Sequence, residues 1–182
     1  MENGDCSYRR FLDGDNSAFD GIVKEHFDHV VFFIDRILHD TQASEDVAID
    51  VFAYLAFKKG YDGRSSMRTY LLTVARSRAL NYIKKHRAHP TVSFDDLSSE
   101  ACDRADMLDR LIDDERKKYV SEAMDKLPDD QKTALHLVFF EGLTYKETAK
   151  IMKKSEKQVD NLLFRAKNAL RSLFGEEGRK YL

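Results

Sequence analysis

Apolar residues recur every three or four positions along most of this chain, the spacing that lines one face of a helix. From Asp15 to His39 the series Phe19, Ile22, Val23, Phe27, Val30, Val31, Ile34, Ile37 and Leu38 predicts one long or two abutting amphipathic helices. A second helix is expected from about Ser44 to Lys59, with Val47, Ala48, Val51, Phe52 and Leu55 buried and Gly60 as its stop. Ser65 or Ser66 can cap a third that reaches His86. Its inner stripe is Leu71, Val74, Ala75, Ala79 and Tyr82, which turns Thr73, Arg76, Ser77, Asn81, Lys84 and Arg87 outward. Arg78 breaks this stripe by pointing inward on an ideal wheel, which calls for an acidic partner or a kink.

Beyond Pro90 the pattern changes. Residues 91–118 are rich in Asp and Glu and begin as a flexible linker, and the apolar series from Met107 to Leu127 then predicts a helix leading into a second domain. Pro128, Asp129 and Asp130 suit the start of another helix, whose stripe is Ala134, Leu135, Val138 and Phe139 and whose stop is Gly142. Thr144 with Glu147, and Ser155 with Gln158, have the spacing of capping boxes, in which each side chain satisfies an amide of the other's backbone. Two helices follow, Tyr145 to Met152 and Glu156 to about Phe174, joined by Lys153, Lys154 and Ser155. That is the short turn of a helix-turn-helix, with Ala149 where the helices cross.

The second of these helices buries Val159, Leu162, Leu163, Ala166, Leu170 and Leu173. Its other face carries Lys157, Gln158, Asn161 and Arg165, with Lys154 and Ser155 just before. Amide and guanidinium groups so placed can pair with base edges and phosphates in a major groove. The same face could also be a solvated side of an ordinary bundle, and Gln158 could serve only as the capping partner of Ser155.

Charge sharpens this picture more than composition does. The 182-residue chain has a net charge of −2, which by itself argues weakly against a nucleic-acid partner. Yet between Asp62 and Asp95 there is no acidic residue, while Arg64, Arg68, Arg76, Arg78, Lys84, Lys85 and Arg87 all fall there. Tyr61, Tyr70 and Tyr82 are interleaved with these cations. Such a surface suits single-stranded DNA, because cations hold the backbone while rings stack on unpaired bases, although each tyrosine could equally be core. On the helix before it, Ile49 stands among Glu45, Asp46 and Asp50 on the outward side, either a spot covered by a partner or an ordinary exposed apolar residue.

Other chemistries find little footing. Cys6 and Cys102 lack the paired spacing of a zinc ribbon or a redox motif, and Glu25, His26 and His29 have no second Glu-x-x-His pair to complete a di-iron bundle. No metal, cofactor or catalytic residue is expected. No apolar run approaches membrane-spanning length and the first residues lack a signal-peptide core, so a cytoplasmic protein is expected.

The expectation is therefore an all-α chain: a helical domain over residues 1–89, an acidic linker over 90–118, and a helix-turn-helix domain over 119–182. Taken together and in order, GDNSAFDGIVKEHF, SEDVAIDVF, YLLTVARSRALNYIKKHR, LPDDQKTALHLVFFEGLTYKETAKIMKK and QVDNLLFRAKNALR resemble bacterial RNA polymerase sigma factors of the extracytoplasmic-function (ECF) class. The resemblance implies a non-enzymatic initiation factor that binds the beta-prime and beta subunits of core polymerase. It implies docking on beta-prime through Glu45, Asp46, Ile49 and Asp50. It implies recognition and opening of the minus-ten element by the stretch holding Arg64, Arg68, Tyr70, Arg76, Ser77, Asn81, Lys84 and Arg87. Lys154, Ser155, Lys157, Gln158, Asn161 and Arg165 would read the minus-thirty-five element, and an anti-sigma factor is a common partner of the class. The chain departs from the family with Ile49 for Gln, Tyr70 for Trp, Ser77 for Asn, Asn81 for Asp, Lys153 for the turn Gly, Thr148 for an aliphatic residue, and Asp160 and Leu162 for basic ones. From the residues alone, a stand-alone helix-turn-helix regulator, a helical metalloenzyme and an adaptor that sequesters another factor are the rival readings.

Overall fold

A computed structural model describes residues 4–58, 60–88, 123–124 and 126–174. The described residues are all-α, and the chain divides into two compact units, Met1–Ser98 and Ser99–Leu182. The linker, the helix expected from Met107 as far as Glu122, and Cys102 lie outside the described residues. No described helix is long and apolar enough to cross a membrane.

The first unit consists of α1 (Gly4–Leu12), α2 (Asn16–Leu38), α3 (Thr41–Lys58) and α4 (Met67–Ala88). α1 was not anticipated, because Tyr8, Phe11 and Leu12 are too few and too close to the end to show a stripe. Tyr8 ties it down. Its ring is buried edge-on against Tyr61 at 5.3 Å and its hydroxyl donates to the Leu55 carbonyl at 3.2 Å. Burial pushes its phenol pKa above the ordinary value.

α2 is one helix rather than two. Asp15 caps it by accepting from the backbone amides of Ser17 and Ala18, and His39 ends it in the left-handed conformation at φ 55° with its amide on the Asp35 carbonyl. The Ser17 hydroxyl, and then the Arg10 guanidinium at 2.7 Å, hold the Asp15 carboxyl below the usual aspartate range.

α3 begins three residues before the expected Ser44. Asp40 is the cap, its carboxylate accepting from the Ala43 amide at 3.0 Å, while Ser44 is buried inside the first turn and donates to the Asp40 carbonyl at 2.6 Å. For α4, Ser66 is the cap, accepting from the Thr69 amide at 3.2 Å. Because α4 packs against both α2 and α3, it buries Met67, Thr69 and Leu72 as well as Leu71, Ala75 and Ala79, and leaves Val74 and Tyr82 half-buried. Arg78 does meet an acid, at the surface rather than inside. Its guanidinium lies 3.6 Å from Asp50 and over the Tyr54 ring at 5.0 Å, both on α3.

The second unit holds α5 (Asp129–Leu135), α6 (Tyr145–Met152) and α7 (Glu156–Phe174). α5 runs into a π-helical turn over His136–Phe140, closed by the Glu141 amide on the His136 carbonyl at 3.0 Å. The wider turn shifts the helical phase, so the expected stripe holds only through Ala134 and Leu135. His136 and Leu137 are buried in place of Val138, which is half-buried, and Phe139, which is exposed. Gly142, at φ 63°, then ends the element as its position predicted.

Candidate nucleic-acid interface

The turn between α6 and α7 is fixed by local hydrogen bonds that its sequence specifies. Thr144 accepts from the Glu147 amide at 3.3 Å while Glu147 accepts from the Thr144 amide at 2.9 Å, which starts α6. Lys153 ends it at φ 54°, the left-handed conformation expected from its place at the usual glycine of this turn, and the Lys154 amide closes the last turn onto the Ala149 carbonyl at 2.9 Å. Ser155 and Gln158 then reproduce the box that starts α7, with contacts of 2.8 and 3.2 Å. The Gln158 side-chain oxygen accepts from the Ser155 amide, so its NH2 group and the oxygen's second lone pair remain to meet another molecule. Thr148, in place of an aliphatic residue, is fully buried, and its hydroxyl has no hydrogen-bond partner among the described residues.

α7 buries Val159, Leu163, Ala166 and Leu170 and presents Lys157, Gln158, Asn161 and Arg165 to solvent, with Ser155 exposed just before them. Leu162 is half-buried and Leu173 exposed, so the expected stripe is narrower than the wheel implied. Lys154 is set apart from the other cations, because its ammonium lies 3.0 Å from the Asp130 carboxylate of α5. Sequence reasoning missed Phe164. It is 64% exposed, one turn beyond Asn161 on the polar face, and its ring is of the kind that packs on a thymine methyl. The signal was present, since Phe164 falls outside the apolar stripe on the wheel.

The expected residues of the first unit are spread over α3, the segment after it and α4. Ser77, Asn81 and Lys84 are exposed along α4, and Arg76 is half-buried. Arg64 is exposed beside Asp62 at 3.2 Å. Arg68 is half-buried against His29, 3.3 Å from Nδ1. The Arg87 side chain lies outside the described part. The tyrosines divide. Tyr61 is buried and donates to the Ser65 carbonyl at 2.7 Å, so it belongs to the core and not to a base-stacking surface. Tyr70 is half-buried, edge-on to Tyr61 at 5.3 Å, and burial raises its phenol pKa. Tyr82 is half-buried beneath His86.

On α3, Asp46, Ile49 and Asp50 are exposed and Glu45 is half-buried. Ile49 is 57% exposed, an apolar spot ringed by carboxylates, and Phe57 two turns on is also exposed. Among the described residues no three metal-ligating side chains converge.

Two family models match this architecture: Sigma-70 region 2 over residues 22–89 and Sigma-70, region 4 over residues 117–170. The RNA polymerase sigma-H factor of Pseudomonas aeruginosa is 32% identical over 169 residues, covering 86% of each chain. The ECF RNA polymerase sigma factor SigM of Bacillus subtilis is 31% identical over 159 residues, covering 86% of this chain and 95% of its own. The chain belongs to the ECF sigma factors. It binds core RNA polymerase and directs promoter-specific transcription initiation. A similar fold is found in CnrH, solved with the cytosolic domain of CnrY, at a TM-score of 0.66 and 18% identity over 93% of this chain and 95% of that one. RpoE of Bartonella quintana, solved with the anti-sigma factor NepR, has a TM-score of 0.62 at 18% identity over 86% and 96%. In this ECF sigma factor α3, α4 and most of α2 fall within the region 2 match, and α5, α6 and most of α7 within the region 4 match.

Proposed function

We propose that the chain divides a promoter between its two ends. Residues 119–182 read the duplex minus-thirty-five element through Lys157, Gln158, Asn161 and Arg165, with Lys154 and Ser155 at the entry to α7 and Phe164 beside them. Residues 1–89 dock on core polymerase through Glu45, Asp46, Ile49 and Asp50. They hold the unpaired minus-ten strand through Arg64, Arg68, Tyr70, Arg76, Ser77, Asn81, Lys84 and Arg87. Residues 90–118 are the acidic tether. The observation that carries this reading is α7 itself, started by a complete capping box and exposing amide and guanidinium side chains along one face.

Each contact alone is weak, and tethering both to one polymerase makes the second effectively intramolecular. Unpairing a few base pairs costs several kcal/mol, which stacking and phosphate contacts along α4 offset. The factor works in the cytoplasm and carries out no chemistry of its own. An anti-sigma factor is its regulatory partner, as in the RpoE complex, and the exposed Ile49 and Phe57 on α3 are apolar surface for it to cover.

Replacing Arg165 or Asn161 by Ala should weaken binding of the reconstituted holoenzyme at the upstream element by about 1–3 kcal/mol while polymerase binding stays intact. Unchanged promoter selection would remove α7 as the reader. The double replacement Asp46→Ala with Ile49→Ala should have the opposite effect, reducing recovery with core polymerase in a pull-down while leaving the second unit folded. Recovery at the wild-type yield would move the docking surface off α3.

A further inference from the structure

The cationic stretch holds three tyrosines, but the fold leaves few ring faces open. Tyr61 is buried and Tyr70 packs its ring beside it. Tyr82, half-buried, has one face covered by a neighbour. The His86 imidazole lies one turn on, stacked at 3.9 Å between ring centres with 25° between the planes. His86 Nδ1 is 3.0 Å from the Tyr82 carbonyl oxygen. A carbonyl only accepts, so Nδ1 carries the proton, and this bond together with the stack fixes the ring in one orientation. Tyr82 is half-buried and anchors the pair, while His86 is exposed.

We propose that His86 supplies the face on which an unpaired promoter base stacks, with Tyr82 as its rigid backing. The inference rests on the reading of α4 as the surface for the unpaired strand and adds to it the ring that takes the base. The surroundings suit a nucleotide. Asn81, Lys84 and Lys85 are exposed within five residues on the same helix, and no acidic residue occurs between Asp62 and Asp95 in sequence to repel the phosphates. An imidazole already ordered by its neighbour loses less freedom when a base arrives than a lone exposed ring would.

The test uses the full chain assembled with core polymerase on a fork-junction promoter, with 2-aminopurine placed in turn at each unpaired non-template position. Stacking quenches this base. One position should be strongly quenched with the wild-type factor. His86→Ala should relieve that quench and weaken binding to the fork about 5- to 100-fold, the range for losing one base–ring stack. His86→Phe should keep both, and none of the variants should alter binding to the duplex upstream element. If His86→Ala matches wild type at every position, or His86→Phe fails as badly as His86→Ala, no base stacks on this ring. Asn81→Ala separates the two levels of the claim. A fork defect in Asn81→Ala without one in His86→Ala overturns the stacking face alone, and no defect in either overturns the reading of α4 as well.

Discussion

Replacing Glu141 by Ala should lower the unfolding free energy of the second unit by about 1–3 kcal/mol, the usual result of leaving a buried polar group without its partner. The side chains of His136 and Glu141 are 4% and 3% exposed, and their Nε2 and Oε1 atoms lie 3.2 Å apart. They stand at the two ends of the π-helical turn, where the Glu141 amide also donates to the His136 carbonyl, so a side-chain contact and a backbone bond close the same loop. Without the carboxylate, the imidazole loses the acidic group beside it and the loop leading to α6 loses a side-chain fastening. Exchanging both for apolar groups should recover most of the loss. His136→Phe with Glu141→Met removes the need for a partner and keeps the stack on Phe140, now 5.6 Å between centres. Urea unfolding of the three proteins checks this. A Glu141→Ala variant as stable as wild type would mean that the pair contributes nothing, and the proposed fastening would be wrong.

How far the sequence announced this structure depends on how local each feature is. The helix-turn-helix was legible almost residue by residue, because both capping boxes act within three positions and the apolar stripe of α7 leaves little choice of face. Lys153, at the place of the family's turn Gly, implied either positive φ or a slightly different turn, and it takes the first. Features set by distant partners were not legible. The acid that Arg78 meets is Asp50, on another helix, and nothing near Arg78 names it. Asp40 and Ser44 are both good caps, and only the burial of Ser44 in the packed unit shows that Asp40 fills the role. The π-helical turn exists because His136 and Leu137 are both drawn inside, which a constant helical period cannot express. In the candidate site, every outward residue has the same standing when read from the pattern alone. The structure separates Lys154, held by Asp130, from Lys157, Asn161 and Arg165. It also removes Tyr61 from the ring faces that a base could reach.

Because each unit has its own core, truncating one core should disable one half of the promoter contact. Leu55, fully buried in the first unit, and Leu163, 1% exposed in the second, are matched probes. Either change to Ala removes three heavy atoms from a close-packed site and should cost about 2–5 kcal/mol, the lost transfer energy plus the cavity left behind. The chain has two cores, so one unfolding free energy for the whole is not expected, and each substitution should move one transition in calorimetry and leave the other in place. The functional losses should then differ in kind. Leu163→Ala opens a void beneath α7 between the turns that carry Asn161 and Arg165, so it should weaken the upstream element while polymerase still co-purifies. Leu55→Ala loosens α3 where it packs on α2 and α4 and where the Leu55 carbonyl takes the Tyr8 hydroxyl bond, so it should reduce polymerase binding and capture of the unpaired strand together. If Leu163→Ala lowered polymerase recovery as much as Leu55→Ala does, the division of labour between the two ends would be lost, because damage to the duplex reader would have spread to a surface that the proposal assigns to the other unit.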